Sequence, residues 1–103
     1  NKAVLIRNKI TREINKAFET VDLIVTPTTP TPAFKLGEKM NDPVAMYLCD
    51  IFSAPANLSG VPSIAIPSGM TDSGLPLSLQ FMAPHFAEEK LFTIGKKFEE
   101  LVK

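Results

Sequence analysis

Apolar residues along this chain follow several spacings, and each spacing predicts a different element. Ile6, Ile10, Ile14 and Phe18 recur every four positions, with Ala3, Ala17 and Val21 beside them, which predicts an amphipathic helix over 2–20. Arg7, Lys9, Arg12 and Lys16 occupy much of the remaining face and read as a solvated basic surface, or else as a contact for an acidic partner. Leu23, Ile24 and Val25 are continuously apolar, the mark of a short strand buried on both faces. Pro27 closes that run, because proline cannot donate to a sheet ladder. In "LSLQFMA", residues 77–83, Leu77, Leu79 and Phe81 alternate with Ser78, Gln80 and Met82, the period of two of a half-buried strand. From about Ala87 to Lys103 the helical period returns, with Leu91, Ile94, Phe98, Leu101 and Val102 on one stripe. Glu88 and Glu89 stand near its start and Lys96, Lys97 and Lys103 near its end, as the helix dipole prefers.

Turn-forming residues divide these periodic stretches. In "TPTTPTPAF", Pro27, Pro30 and Pro32 fix the backbone at three places and predict a stiff extended connector. Pro27 and Pro30 also match a PxxP ligand, but no arginine flanks them, and a rigid loop explains them better. Asp42 suits an N-cap and Pro43 the first helical position, with Val44, Tyr47, Leu48 and Ile51 at helical spacing behind them. Ser53 suits the cap of a second short helical turn through Leu58, which Gly60 ends in the left-handed conformation. A strand over 63–67 follows, in "ANLSGVPSIAIPSG", bracketed by Ser59, Gly60 and Pro62 on one side and Pro67, Ser68 and Gly69 on the other. The stretch "SGMTDSGLP" suits a loop joining neighbouring strands. The fold class is therefore α/β, a short mixed sheet of about three strands flanked by helices, in one domain over 1–103.

Composition narrows the function classes. Lys plus Arg and Asp plus Glu are both 11, so no net field draws the chain to nucleic acid or to a membrane surface. No apolar stretch approaches the roughly 18 residues of a membrane span. A single cysteine, Cys49, forbids an internal disulfide and is compatible with a reducing compartment. The chain starts at Asn1 and enters helical pattern at once, which reads as a piece of something larger.

Candidate chemistry is sparse. One His and one Cys supply no metal cluster. His85, beside a proline, reads as a loop–helix junction residue. Cys49 reads as a small apolar side chain on the packed side of its helix, since a nucleophile would need a base and an orienting group that nothing in the pattern aims at it. There is neither a phosphate-binding glycine fingerprint nor a nucleophile elbow. Asp50 is the residue that breaks a local rule. It lies among Leu48, Cys49, Ile51 and Phe52 at the expected C-terminal end of a helix, where the dipole opposes a carboxylate. Either it serves a ligand, or it caps the next helical turn or pairs with a lysine.

Taken in order, "DLIVTPTTPTPAF", "MYLCDIF", "ANLSGVPSIAIPSG" and "GLPLSLQFMAPHFAEEKLF" resemble the C-terminal end of the amidase signature family, across nearly the whole chain. "AFKLGEK", "DP" and "MYLCDIF" resemble its glutamine-using, tRNA-dependent amidotransferase branch. The resemblance implies a large mixed sheet between helical layers. It also implies a cytoplasmic subunit that releases ammonia from glutamine. That ammonia would pass to a partner subunit, which amidates Glu-tRNA(Gln) using ATP. No cofactor is expected in this chain, and tRNA would be met through the complex. The family's Ser–Ser–Lys machinery lies upstream of the matching region, so no catalytic residue is expected here and the chain alone is expected to be inactive. One role carries over: the aspartate matching Asp50 contacts the substrate's α-amino group. Ser53 and Ser78 depart from the threonine and glycine of the family pattern, away from that chemistry. Two rivals remain, another amidase signature hydrolase acting on a different amide and a non-catalytic interaction module with this fold. Strands built for a larger sheet also imply that the isolated chain self-associates.

Overall fold

The computed structural model describes residues 1–38 and 42–102; Lys39, which ends "AFKLGEK", and Lys103 lie outside the described residues. The element order is α1 (Lys2–Ala17), β1 (Ile24–Pro27), α2 (Pro43–Leu48), α3 (Ala54–Ser59), β2 (Ser63–Met70), β3 (Pro76–Met82) and α4 (Glu88–Val102). The strands form one sheet in the order β1-β3-β2. Both pairings are antiparallel, in place of the short mixed sheet expected. The reason is local: residues 71–75 return the chain tightly from β2 into β3, with the Thr71 amide donating to the Leu75 carbonyl at 2.8 Å. β1 then joins the other side of β3 in register Thr26 to Gln80.

The register decides which residues share a face. Val25, Phe81 and Ile64 lie side by side on one face, and Ile24 and Met82 on the other. α4 covers the first face over β2. There Ile66, Phe81, Ala83 and Leu91 form a buried cluster, and Phe81 meets Phe98 edge to face at 5.4 Å between ring centres. This approach needs Gly95, because a Cβ there would stand 2.7 Å from Ile66 Cδ1. On the second face Met82 packs with Ala56 and Val61, flanked by Ile14, Phe18 and Ile24. β3 is thus covered on both sides at its C-terminal end, and Gln80, Phe81 and Met82 are all buried. The alternating, half-buried reading fails at that end because packed clusters cover both faces of the strand there.

The opposite correction applies to β1. Its apolar run reads as buried on both faces, yet among the described residues it stands at the edge of the sheet and Val25 is 50% exposed. α4 lies over β2 on that face. Pro27 is tolerated at the strand's last position because an edge leaves one side of the ladder unpaired. Pro67 stands in β2, the other edge, next to a register shift between Pro67 and Gly69.

The helices carry most of the expected caps. The Asn1 side chain accepts from the Ala3 amide at 2.9 Å at the head of α1. Ile10, Ile14 and Phe18 turn inward, whereas Ile6 is exposed. The basic face is solvated except at Arg7, whose Nε donates to the Leu58 carbonyl and joins α1 to α3. Asp42 caps α2, accepting from the Ala45 amide at 3.1 Å, with Pro43 next. Ser53 precedes α3 as expected, but its hydroxyl donates back to the Asp50 carbonyl instead of capping. Gly60 ends α3 at φ 78°, in the left-handed conformation. The last turn of α4 holds Glu99 and Glu100 and, among the described residues, no base, because the helix runs past Lys96 and Lys97. Exposed apolar side chains include Leu5, Leu36, Tyr47, Phe86 and Leu101.

Candidate substrate-binding site

Asp50 stands just past α2, in the turn that leads to α3. Its amide donates to the Tyr47 carbonyl at 3.1 Å. Its carbonyl accepts from the Ser53 amide at 3.1 Å, the Ala54 amide at 3.2 Å and the Ser53 hydroxyl at 3.0 Å. The backbone is therefore pinned on both sides. The side chain is exposed, and among the described residues no hydrogen bond or ion pair engages its carboxylate. Neither alternative read from the sequence, a cap or a lysine pair, is present among those residues. What remains is an unpartnered carboxylate at the end of a short helix, where carbonyl dipoles add to its negative potential.

This turn is tied to the sheet by Gln80. The side-chain nitrogen of Gln80 donates to the Phe52 carbonyl at 2.7 Å and to the Thr26 hydroxyl at 3.2 Å. Both of its protons are thereby used, which is how a primary amide is accommodated at 6% exposure. Thr26 completes the chain by donating to the Pro27 carbonyl at 2.9 Å. The period-two reading assigns Gln80 to an outward face and misses it. The available signal is an amide between apolar neighbours in "LQFMA".

The proline-rich connector leaves β1 beside this network. Its first residue past the strand, Thr28, accepts from the Ser78 hydroxyl at 2.7 Å. The connector and β3 enclose a hollow of about 330 Å³, whose lining includes Thr28, Thr29, Thr31, Ser68 and Ser78. A smaller hollow of about 210 Å³ lies between the connector and Cys49, the neighbour of Asp50. The loop and Cys49 thus line one hollow, with Asp50 the next residue along the chain.

The remaining candidates have structural contacts. Cys49 is half-buried, with its Sγ 3.4 Å from the Ala45 carbonyl. His85 Nε2 lies 2.9 Å from the Ser59 carbonyl and fastens the loop after β3 to the end of α3. Among the described residues no group of three or more His, Cys, Asp or Glu gathers where a metal ion could be held, and no helix is long and apolar enough to cross a membrane.

The amidase family model matches residues 1–92. The A subunit of glutamyl-tRNA(Gln) amidotransferase of Syntrophus aciditrophicus (strain SB) is 51% identical over 98 residues, covering 95% of this chain and 20% of that protein. The crystal structure of the corresponding glutamyl-tRNA(Gln) amidotransferase subunit from Thermotoga maritima superposes with a TM-score of 0.84 at 46% identity, over 89% of this chain and 20% of that one. A Kluyveromyces lactis allophanate hydrolase superposes with a TM-score of 0.86 at 25% identity, over 98% of this chain and 16% of that one. The chain spans about a fifth of the length of the amidotransferase subunits it matches. With the family model running from α1 through the start of α4, and so through Asp50 and Gln80, the chain belongs to the amidase family.

Proposed function

We propose that this chain is the C-terminal portion of the glutamine-hydrolysing subunit of a tRNA-dependent amidotransferase, and that Asp50 binds the α-ammonium group of glutamine. The observation that carries this reading is the Asp50 carboxylate: its backbone is fixed by the turn, its side chain has no partner among the described residues, and it lies at the negative end of a helix. Such a group favours a cation, and an ammonium supplies both the charge and the donors. In this reading the segment contributes substrate binding and no catalytic group, with the Ser–Ser–Lys machinery supplied from outside these residues. Ammonia passes to a partner subunit that uses ATP, and tRNA is met by the complex.

Asp50→Asn in the full-length protein removes the charge and keeps the shape. It is expected to weaken glutamine binding by about 1.5–3 kcal/mol, the scale of a hydrogen bond to a charged group. Equilibrium binding of glutamine, alongside a panel of simple amides, measures this. Unchanged affinity in the variant would defeat the assignment of Asp50, and preference for another amide would favour a different amidase family hydrolase.

A further inference from the structure

We propose that Gln80 is a positioning residue for the substrate amine: its buried amide fixes the Asp50 turn against the strand from which the proline-rich connector departs. This rests on the reading of Asp50 given above. Among the described residues α2 has no buried residue, so these residues supply no core packing to hold it in place. The turn that follows it is anchored to the sheet at Phe52, whose carbonyl receives the Gln80 amide at 2.7 Å. Phe52 lies inside the loop of bonds that close on the Asp50 carbonyl, so a displacement of Phe52 moves Asp50 with it. The second proton of the same amide reaches Thr26, two residues before Thr28 begins the connector. One nitrogen on β3 therefore ties the turn that carries Asp50 to the strand that leads into the connector. A buried amide in a central strand is not needed for sheet stability, since an apolar side chain of the same shape avoids the demand for partners. Its value here is geometric: it fixes the turn that carries Asp50 relative to β1.

The test is a double-mutant cycle in the full-length protein, read by equilibrium binding of two ligands. Gln80→Met keeps length and burial and removes both donors. Glutamine and its analogue lacking the α-amino group, glutaramate, are the probes. Gln80→Met is expected to weaken glutamine binding about fivefold, the scale of one neutral hydrogen bond. It should leave glutaramate binding unchanged and add nothing further in the Asp50→Asn background. Equal losses for both ligands, equal losses in both backgrounds, or no loss at all would overturn the proposal. If Asp50→Asn itself leaves glutamine binding unchanged, the reading of Asp50 fails and this role fails with it. That result is distinct from one in which Asp50→Asn weakens binding and Gln80→Met does not. Should Gln80→Met fail to fold, Thr26→Val removes the second anchor alone, and the same cycle decides with a smaller expected loss of about twofold.

Discussion

Two segments of this chain meet the sheet in different ways. α4 meets it through a packed cluster: Leu91 is buried, Phe98 meets Phe81 edge to face, and Gly95 allows Ile66 to approach. The segment that carries Asp50 meets it through hydrogen bonds. Among the described residues α2 has no buried side chain, Val44 and Tyr47 are exposed, and a tie to the sheet runs through the Gln80 amide. Apolar packing is non-directional and sums over many atoms, so it makes a rigid support. A hydrogen bond is directional and contributes less net stability, so it sets a position without adding much strength. The segment proposed to touch substrate is held by the second means, and regions with few buried contacts open locally at low free energy.

Three substitutions sharpen or break this contrast. Phe81→Ala empties the α4 side of the core and is expected to destabilise the protein by about 3–5 kcal/mol, measured by denaturant unfolding. A loss under about 1 kcal/mol would mean that α4 is not a rigid support. Asp42→Ala removes the N-cap of α2 and should cost about 1 kcal/mol. Hydrogen exchange is expected to show this loss in 43–48 and not in α4; faster exchange throughout would show that the two segments open together. The smallest effect is expected at Val44→Ser on the exposed side of α2, within about 0.5 kcal/mol of wild type in the isolated chain. A larger loss on denaturation of that chain would reveal packing on α2 that the fold does not contain.

Much of the architecture was legible because it depends on local signals. The Asp42–Pro43 start, the left-handed stop at Gly60 and the outline of α4 follow from capping chemistry and periodicity. What the sequence hides depends on strand order, which period-two patterns do not encode. Val25 looks central and stands on an edge, while Gln80 looks outward and is buried in the middle strand. Only the pairing of β3 with both neighbours distinguishes these cases, and each pairing is a long-range fact. Gly95 is hidden for a related reason. A glycine within an amphipathic stripe gives no sign that an isoleucine on a strand will press against it. Asp50 was legible as a broken rule. Its lack of a partner among the described residues became visible only when the surrounding turn was in view.

The central place of β3 also orders events in time. β1 and β2 each pair with β3, the last of the three described strands to be made. Thr26 and Gln80 are 54 positions apart, so at translation rates of about 5–20 residues per second β1 waits roughly 3–11 s for this partner. Closing that loop costs entropy before any pairing repays it. Meanwhile Leu23, Ile24 and Val25 form an apolar run with no β3 to cover it. The stiff prolines that follow at Pro27, Pro30 and Pro32 limit the strand's extension and so the length of ladder a wrong neighbour can build on it. The stiff connector thus bounds β1 while its partner is still to be made.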